Sequence, residues 1–245
     1  MKHSAIRFTF GFLLATILYG CAPEQHVYSA DPVYARVVDA DTNEPLEGVA
    51  VVAYWELYQG SITGDGMPCG AANVEEAETD KDGWFHIPGW GPIRGACGNM
   101  RNMNPFVYLF KSGYAYVRKG GGVGLNTNRL VSVAQVDWNG QTIKLKKFSS
   151  LDLGTYGLNS YADNFGNFNS EISMFIVNMP GQCNWKKIPH MLHAIIAQRK
   201  SFDSANNHHF DSIDQMLTRN DQDKFMQKFA PQCGSPRIFV DGLER

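Results

Sequence analysis

From residue 33 to residue 148 the chain alternates short β-prone runs with clusters of Gly, Pro, Asn and Asp, and nowhere in that span does a helical period appear. Seven such runs are legible, at residues 33–38, 48–58, 74–79, 84–87, 106–110, 130–136 and 142–147. Many short strands with turn signals between them predict a mainly β fold, an antiparallel sandwich of about seven strands. Val49, Val51, Ala53 and Trp55 alternate along the second run and so share one face. The chain of 245 residues is 44% hydrophobic, 12% aromatic and 19% charged, which excludes wholesale disorder. A formal net charge of −2 gives no sign of a basic nucleic-acid-binding face, and no nucleic-acid partner is expected.

Two motifs inside this region carry a family resemblance. The stretch Val37-Val38-Asp39-Ala40-Asp41-Thr42-Asn43-Glu44-Pro45-Leu46-Glu47-Gly48-Val49-Ala50-Val51 resembles the opening of carboxypeptidase regulatory-like domains. Thr79-Asp80-Lys81-Asp82-Gly83-Trp84-Phe85-His86-Ile87-Pro88 is similar to the hairpin of the same family. Lys111-Ser112-Gly113-Tyr114 and the closing Thr142-Ile143-Lys144-Leu145 extend the likeness over residues 33–148. The resemblance implies a transthyretin-like (prealbumin-like) sandwich. Its motifs are folding instructions: Pro45 pre-sets a turn angle, Asp80 bonds to backbone ahead of it, and Gly83 permits positive φ. They bring no catalytic set with them.

Residues 1–20 read as a targeting segment. Lys2 and Arg7 precede an apolar run of about a dozen residues, shorter than the roughly 20 a spanning helix needs. The run closes on Leu18-Tyr19-Gly20-Cys21, which resembles the lipobox of bacterial lipoproteins. That likeness implies a signal peptide over 1–20, lipidation of Cys21 and anchoring to a membrane. Ala22, not Asp, follows the cysteine, so the outer membrane is expected, facing the periplasm or the cell surface. Losing residues 1–20 removes Lys2 and Arg7 and no acid, which takes the formal charge from −2 to −4. Residues 21–32 are read as a polar tether.

Setting Cys21 aside leaves Cys69, Cys97, Cys183 and Cys233, an even number suited to an oxidising compartment. Three pairings are possible. Proximity in sequence and the division of the chain favour 69–97 and 183–233, and the spacings fit no compact zinc pattern.

Beyond residue 148 the composition shifts. Residues 149–170 are rich in Gly, Asn, Ser and Tyr and read as a linker, and 171–177 as a strand or short helix. Residues 189–200 predict a helix with Pro189 in its first turn and Arg199 and Lys200 at its end. Apolar residues at helical spacing predict two more helices at 210–217 and 221–229. Residues 149–245 are thus expected to form a linker and an α-helical extension.

Candidate chemistry is sparse. His190 and His193 stand three apart on the expected helix, without an HExxH arrangement. Asp80–Gly83 resembles the start of a calcium loop, yet Gly91 occupies the twelfth position, where such a loop needs a bidentate carboxylate. Gly120-Gly121-Gly122-Val123-Gly124 lies outside any βαβ context and reads as a hairpin loop. No G-x-S-x-G elbow is present. No catalytic residue, metal ligand or cofactor is therefore assigned. Trp55, Tyr58, Trp84, Trp90, Tyr114 and Tyr116 are the remaining candidates, able to stack on sugars or dock a partner if exposed. The expectation is a non-enzymatic binding or structural lipoprotein of the envelope, with a protein or glycan partner. The alternative is a small periplasmic hydrolase acting on peptide or cell-wall substrates through His86, His190 or His193.

Overall fold

A computed structural model describes residues 27–60, 66–95, 97–100, 105–120, 131–134, 136–147, 168, 172, 183–200, 228 and 231–243. Its organising strand is β3 (Ala50–Gln59), apolar at nearly every position from Ala50 to Leu57. A strand so composed needs cover on both faces. It pairs antiparallel with β4 (Met67–Glu78) and β8 (Phe106–Phe110), and β9 (Val117–Lys119) follows β8. The short β7 (Asn99–Met100) pairs with the end of β3.

A second layer is built on β2 (Val33–Asp39), antiparallel to β5 (Trp84–Ile87) and parallel to β11 (Thr142–Leu145). β1 (Val27–Ala30) repeats this arrangement with β6 (Trp90–Arg94) and β10 (Val131–Ala134). The register runs on from Val33 opposite Ile87 to Ala30 opposite Trp90. The two three-stranded sheets therefore continue each other across the breaks at Asp31-Pro32 and Pro88-Gly89, where proline withholds an N–H. Asn139 bridges the break: its Oδ1 accepts from the Tyr34 N–H at 3.0 Å and its Nδ2 donates to the Pro32 carbonyl at 2.9 Å.

Between the layers lie Val51, Ala53, Trp55 and Leu57 of β3, Ala35 and Val37 of β2, Phe85 and Ile87 of β5, and Ile143 and Leu145 of β11. The other face of β3 carries Val52 and Tyr54, joined by Tyr108 and Phe110. Those residues are covered by α1 (Pro189–Lys200) through Met191, Leu192, Ile195 and Ile196, and by Phe168, Ile172, Trp185 and Val240 of α2 (Pro236–Leu243). The order is sheet, sheet, helical layer.

The sandwich and the expected helix at 189–200 are present, and Cys69–Cys97 and Cys183–Cys233 are bonded, with Cα–Cα distances of 6.1 and 5.2 Å. Four expectations need correction. The sandwich is not purely antiparallel, because β10 and β11 run parallel to β1 and β2. They follow β9 in the opposite layer and cross over, so no hairpin fixes their direction. Strands beyond the seven expected (β1, β6, β7 and β9) bring the described number to eleven, each too short to show a period. The tether at 21–32 holds β1, whose Tyr28 and Ala30 are buried. The linker and the 171–177 segment place Phe168 and Ile172 in the helix-side core, so the boundary at 148 does not divide the packing. The signal segment, Cys21 and the expected helices at 210–217 and 221–229 lie outside the described residues, Lys228 excepted.

Candidate binding face

Alternation on β2 sends Val33, Ala35 and Val37 inward and Tyr34 and Arg36 outward. On β5 it turns Phe85 and Ile87 inward and Trp84 and His86 outward. β11 adds Thr142 and Lys144 to the outer side. The register aligns Trp84, Arg36 and Thr142 in one row across the three strands, and sets His86 beside Tyr34 in the next. With strands about 4.8 Å apart, this patch measures about 10 Å across and about 7 Å along the strands.

Two contacts position the side chains of the patch. Arg36 Nε donates to the Asp82 carbonyl at 2.9 Å, leaving the terminal guanidinium nitrogens for other acceptors. The Tyr34 ring leans over Gly140, where a Cβ would stand 3.4 Å from Cε2. Tyr34 is 45% and Trp84 40% exposed, so each side chain is partly open to solvent. The hairpin beside the patch is fixed by Asp80, whose Oδ1 accepts from the Asp82 and Trp84 N–H groups, each at 2.9 Å. That carboxylate oxygen is a turn acceptor here. Gly83, at φ +79°, packs so near Val37 that a Cβ would stand 2.4 Å from its carbonyl oxygen.

The other aromatic candidates are mostly used internally. Trp55 is buried edge-on to Trp90 at 5.2 Å, and Tyr116 stacks on Phe168 at 4.8 Å. Tyr114 is buried and its hydroxyl donates to Asp39 Oδ2 at 3.0 Å. Burial, then Asp39, raises the Tyr114 phenol above its ordinary value. Asp39 is held below the usual carboxylate range by the N–H groups of Thr42 and Asp41 on Oδ1, with Tyr114 and Lys147 adding to the effect against a burial penalty.

The histidines are not brought together. His86 lies on the outer face of the second layer, whereas His190 and His193 belong to α1 on the far side of the first. His190 is engaged by a residue no sequence pattern marked, Glu76 of β4. Glu76 accepts the His190 N–H at 3.0 Å and the Met191 N–H at 2.7 Å, and lies 2.9 Å from His190 Nδ1. These are orphan donors of the first turn of α1, which has no acid of its own there. Burial raises the Glu76 carboxyl pKa and outweighs the lowering by these hydrogen bonds. The dyad is a helix cap supplied from the sheet. At the other end of α1, Gln198 Oε1 accepts from Ser112 Oγ at 3.2 Å and from the Gly113 N–H at 2.5 Å. Among the described residues no group of three or more His, Cys, Asp or Glu could hold a metal ion. Most of the Gly120–Gly124 run lies outside them.

Tyr34, Arg36 and Lys144 were not marked as candidates from the sequence. The alternation of Val33-Tyr34-Ala35-Arg36-Val37 carried the signal for the first two, but their placement beside Trp84 required the register.

No family model matches this sequence, and no curated protein matches it. Among solved structures, a group B streptococcus pilus 2b backbone protein is 19% identical, covering 50% of this chain and 43% of its own, with a TM-score of 0.23. Chlorocatechol 1,2-dioxygenase from Pseudomonas putida is 17% identical, covering 51% of this chain and 61% of its own, at 0.23. A 9R-lipoxygenase from Cyanothece PCC8801 is 12% identical, covering 80% of this chain and 31% of its own, at 0.24. The chain thus spans less than two thirds of each. Likenesses at these scores carry nothing about function, so the site is read from its own residues.

Proposed function

We propose that this protein is a lipid-anchored, non-enzymatic binding module of the bacterial envelope, held to the outer membrane through Cys21 and presenting the β5–β2–β11 face to a glycan. The observation that carries the reading is the pair of half-exposed aromatic residues, Tyr34 and Trp84, on adjacent strands of one sheet face. Rings fixed in this way offer apolar faces to the C–H surfaces of sugars at little ordering cost. Two disulfides support an oxidising compartment. Among the described residues no helix is long and apolar enough to cross a membrane, a statement that leaves strand-built barrels aside. The hydrolase reading has no comparable support, since His86 stands apart from His190 and the His190 ring lies against Glu76, the residue that caps α1.

Two measurements test the proposal. Cells fed an alkyne fatty acid are expected to label the wild-type chain, and Cys21→Ser is expected to lose the label. The full chain is expected to be retarded in gels cast with envelope polysaccharide, and Tyr34→Ala with Trp84→Ala to run as in plain gels. An unlabelled wild-type chain would remove the anchor, and unchanged retardation of the double variant would remove the face.

A further inference from the structure

We infer that the glycan bound on this face is acidic, a polysaccharide bearing carboxylates on its sugar units. The inference rests on the glycan reading above and adds a charge requirement to it. The outward positions of the three strands that reach solvent are Tyr34 and Arg36 on β2, Trp84 and His86 on β5, and Thr142 and Lys144 on β11, whereas Val38 is buried. None is acidic, although acids outnumber bases 24 to 22 in the whole chain. Asp80 and Asp82, in the hairpin turn before β5, lie off the three strands; Asp80 Oδ1 accepts backbone N–H groups, and it is the backbone carbonyl of Asp82, not its carboxylate, that accepts Arg36 Nε.

Arg36 is the centre of this arrangement. It lies in a row between Trp84 and Thr142, and its Nε donates to the Asp82 carbonyl, which leaves terminal guanidinium N–H groups to meet a ligand. A guanidinium presented in that way matches a carboxylate with two parallel hydrogen bonds. Lys144 is two residues along β11 from Thr142, so it supplies a second positive charge about 7 Å further along the face. Stacking surface and cations thus alternate over the length of about two sugar rings. The geometry does not suit insertion into a lipid surface, because rings already half covered by the sheet cannot reach into acyl chains as protruding side chains do.

The test is titration calorimetry of the full chain in detergent against hexagalacturonate, against a neutral glucan hexamer and against anionic phospholipid vesicles. Hexagalacturonate is expected to bind at least tenfold more tightly than the glucan. Lys144→Gln and Arg36→Gln are each expected to weaken it fivefold or more, and to reduce its salt dependence. Trp84→Ala is expected to weaken both sugars. Arg36 also holds the hairpin, so Lys144→Gln, which alters no hydrogen bond of the fold described above, decides if Arg36→Gln unfolds. Equal binding of both hexamers, indifferent to Lys144, would overturn the charge requirement and leave the glycan face standing. Vesicle binding without sugar binding would overturn both, as would binding to none of the three.

Discussion

Thr79 is a small buried residue with a large structural role. Its hydroxyl donates to the Leu46 carbonyl at 2.6 Å and accepts the Val49 N–H at 2.8 Å, tying the start of β3 to the turn before β5. Thr79→Val keeps the shape and strands two buried backbone groups, so a loss of about 2–3 kcal/mol is expected. Urea unfolding should show a lower midpoint at an unchanged slope, with Thr79→Ser recovering most of it. A wild-type midpoint in Thr79→Val would refute this role. Asp39 predicts a pH dependence. Its pKa is lowered in the fold, so its contribution is present above the ordinary carboxylate value and fades as pH falls through the folded one. The stability gap between wild type and Asp39→Asn is therefore expected to narrow as pH drops below about 4. A gap constant from pH 6 to pH 3 would refute it.

At the scale of the element, α1 is a helix fastened at both ends by groups far from it in sequence. Glu76 caps its first turn and Gln198 fastens its last to the loop after β8. Glu76→Ala is expected to cost about 1–2 kcal/mol, in the range of a lost N-cap. Glu76→Gln keeps an acceptor and sheds the buried charge, so it should cost less. The pKa of Glu76 is raised, so its protonated form favours the fold; the wild-type contribution is lost as pH rises through that value, and Gln removes this trend. Hydrogen exchange at His190 and Met191 reports the cap directly, and unchanged protection in Glu76→Ala would show that it is dispensable. The helix was legible because Pro189 and the apolar residues after it are local signals. Its cap was not, because Glu76 lies 114 residues away from His190.

At the scale of the molecule, the helical layer completes a core. Removing everything after residue 148 would bare Val52, Tyr54, Tyr108 and Phe110 on the outer side of the first sheet. Such a truncation is expected to bind a hydrophobic dye and to associate, where the full chain does neither; a stable dye-free monomer would mean that the sheet needs no such cover. The Cys183–Cys233 bond closes a 50-residue separation around much of that layer. Replacing both cysteines with Ala is expected to cost up to about 4 kcal/mol by chain entropy, read as a lower midpoint of thermal unfolding. An unshifted midpoint would argue that the layer is held by packing alone.

What the sequence determined by itself is whatever depends on near neighbours: the strand runs, the Asp80–Gly83 turn, the helix at 189–200, and which side chains alternate with the core. Each follows from backbone sterics and side-chain period within a few residues. Tertiary structure decided the rest. Only strand register could set Trp84 beside Arg36 and Tyr34, only a crossover could make β11 parallel to β2, and only packing could turn Phe168 into core. Those outcomes come from burying distant apolar surface and pairing distant polar groups, energies that arise once remote segments meet and so leave no local mark in the chain.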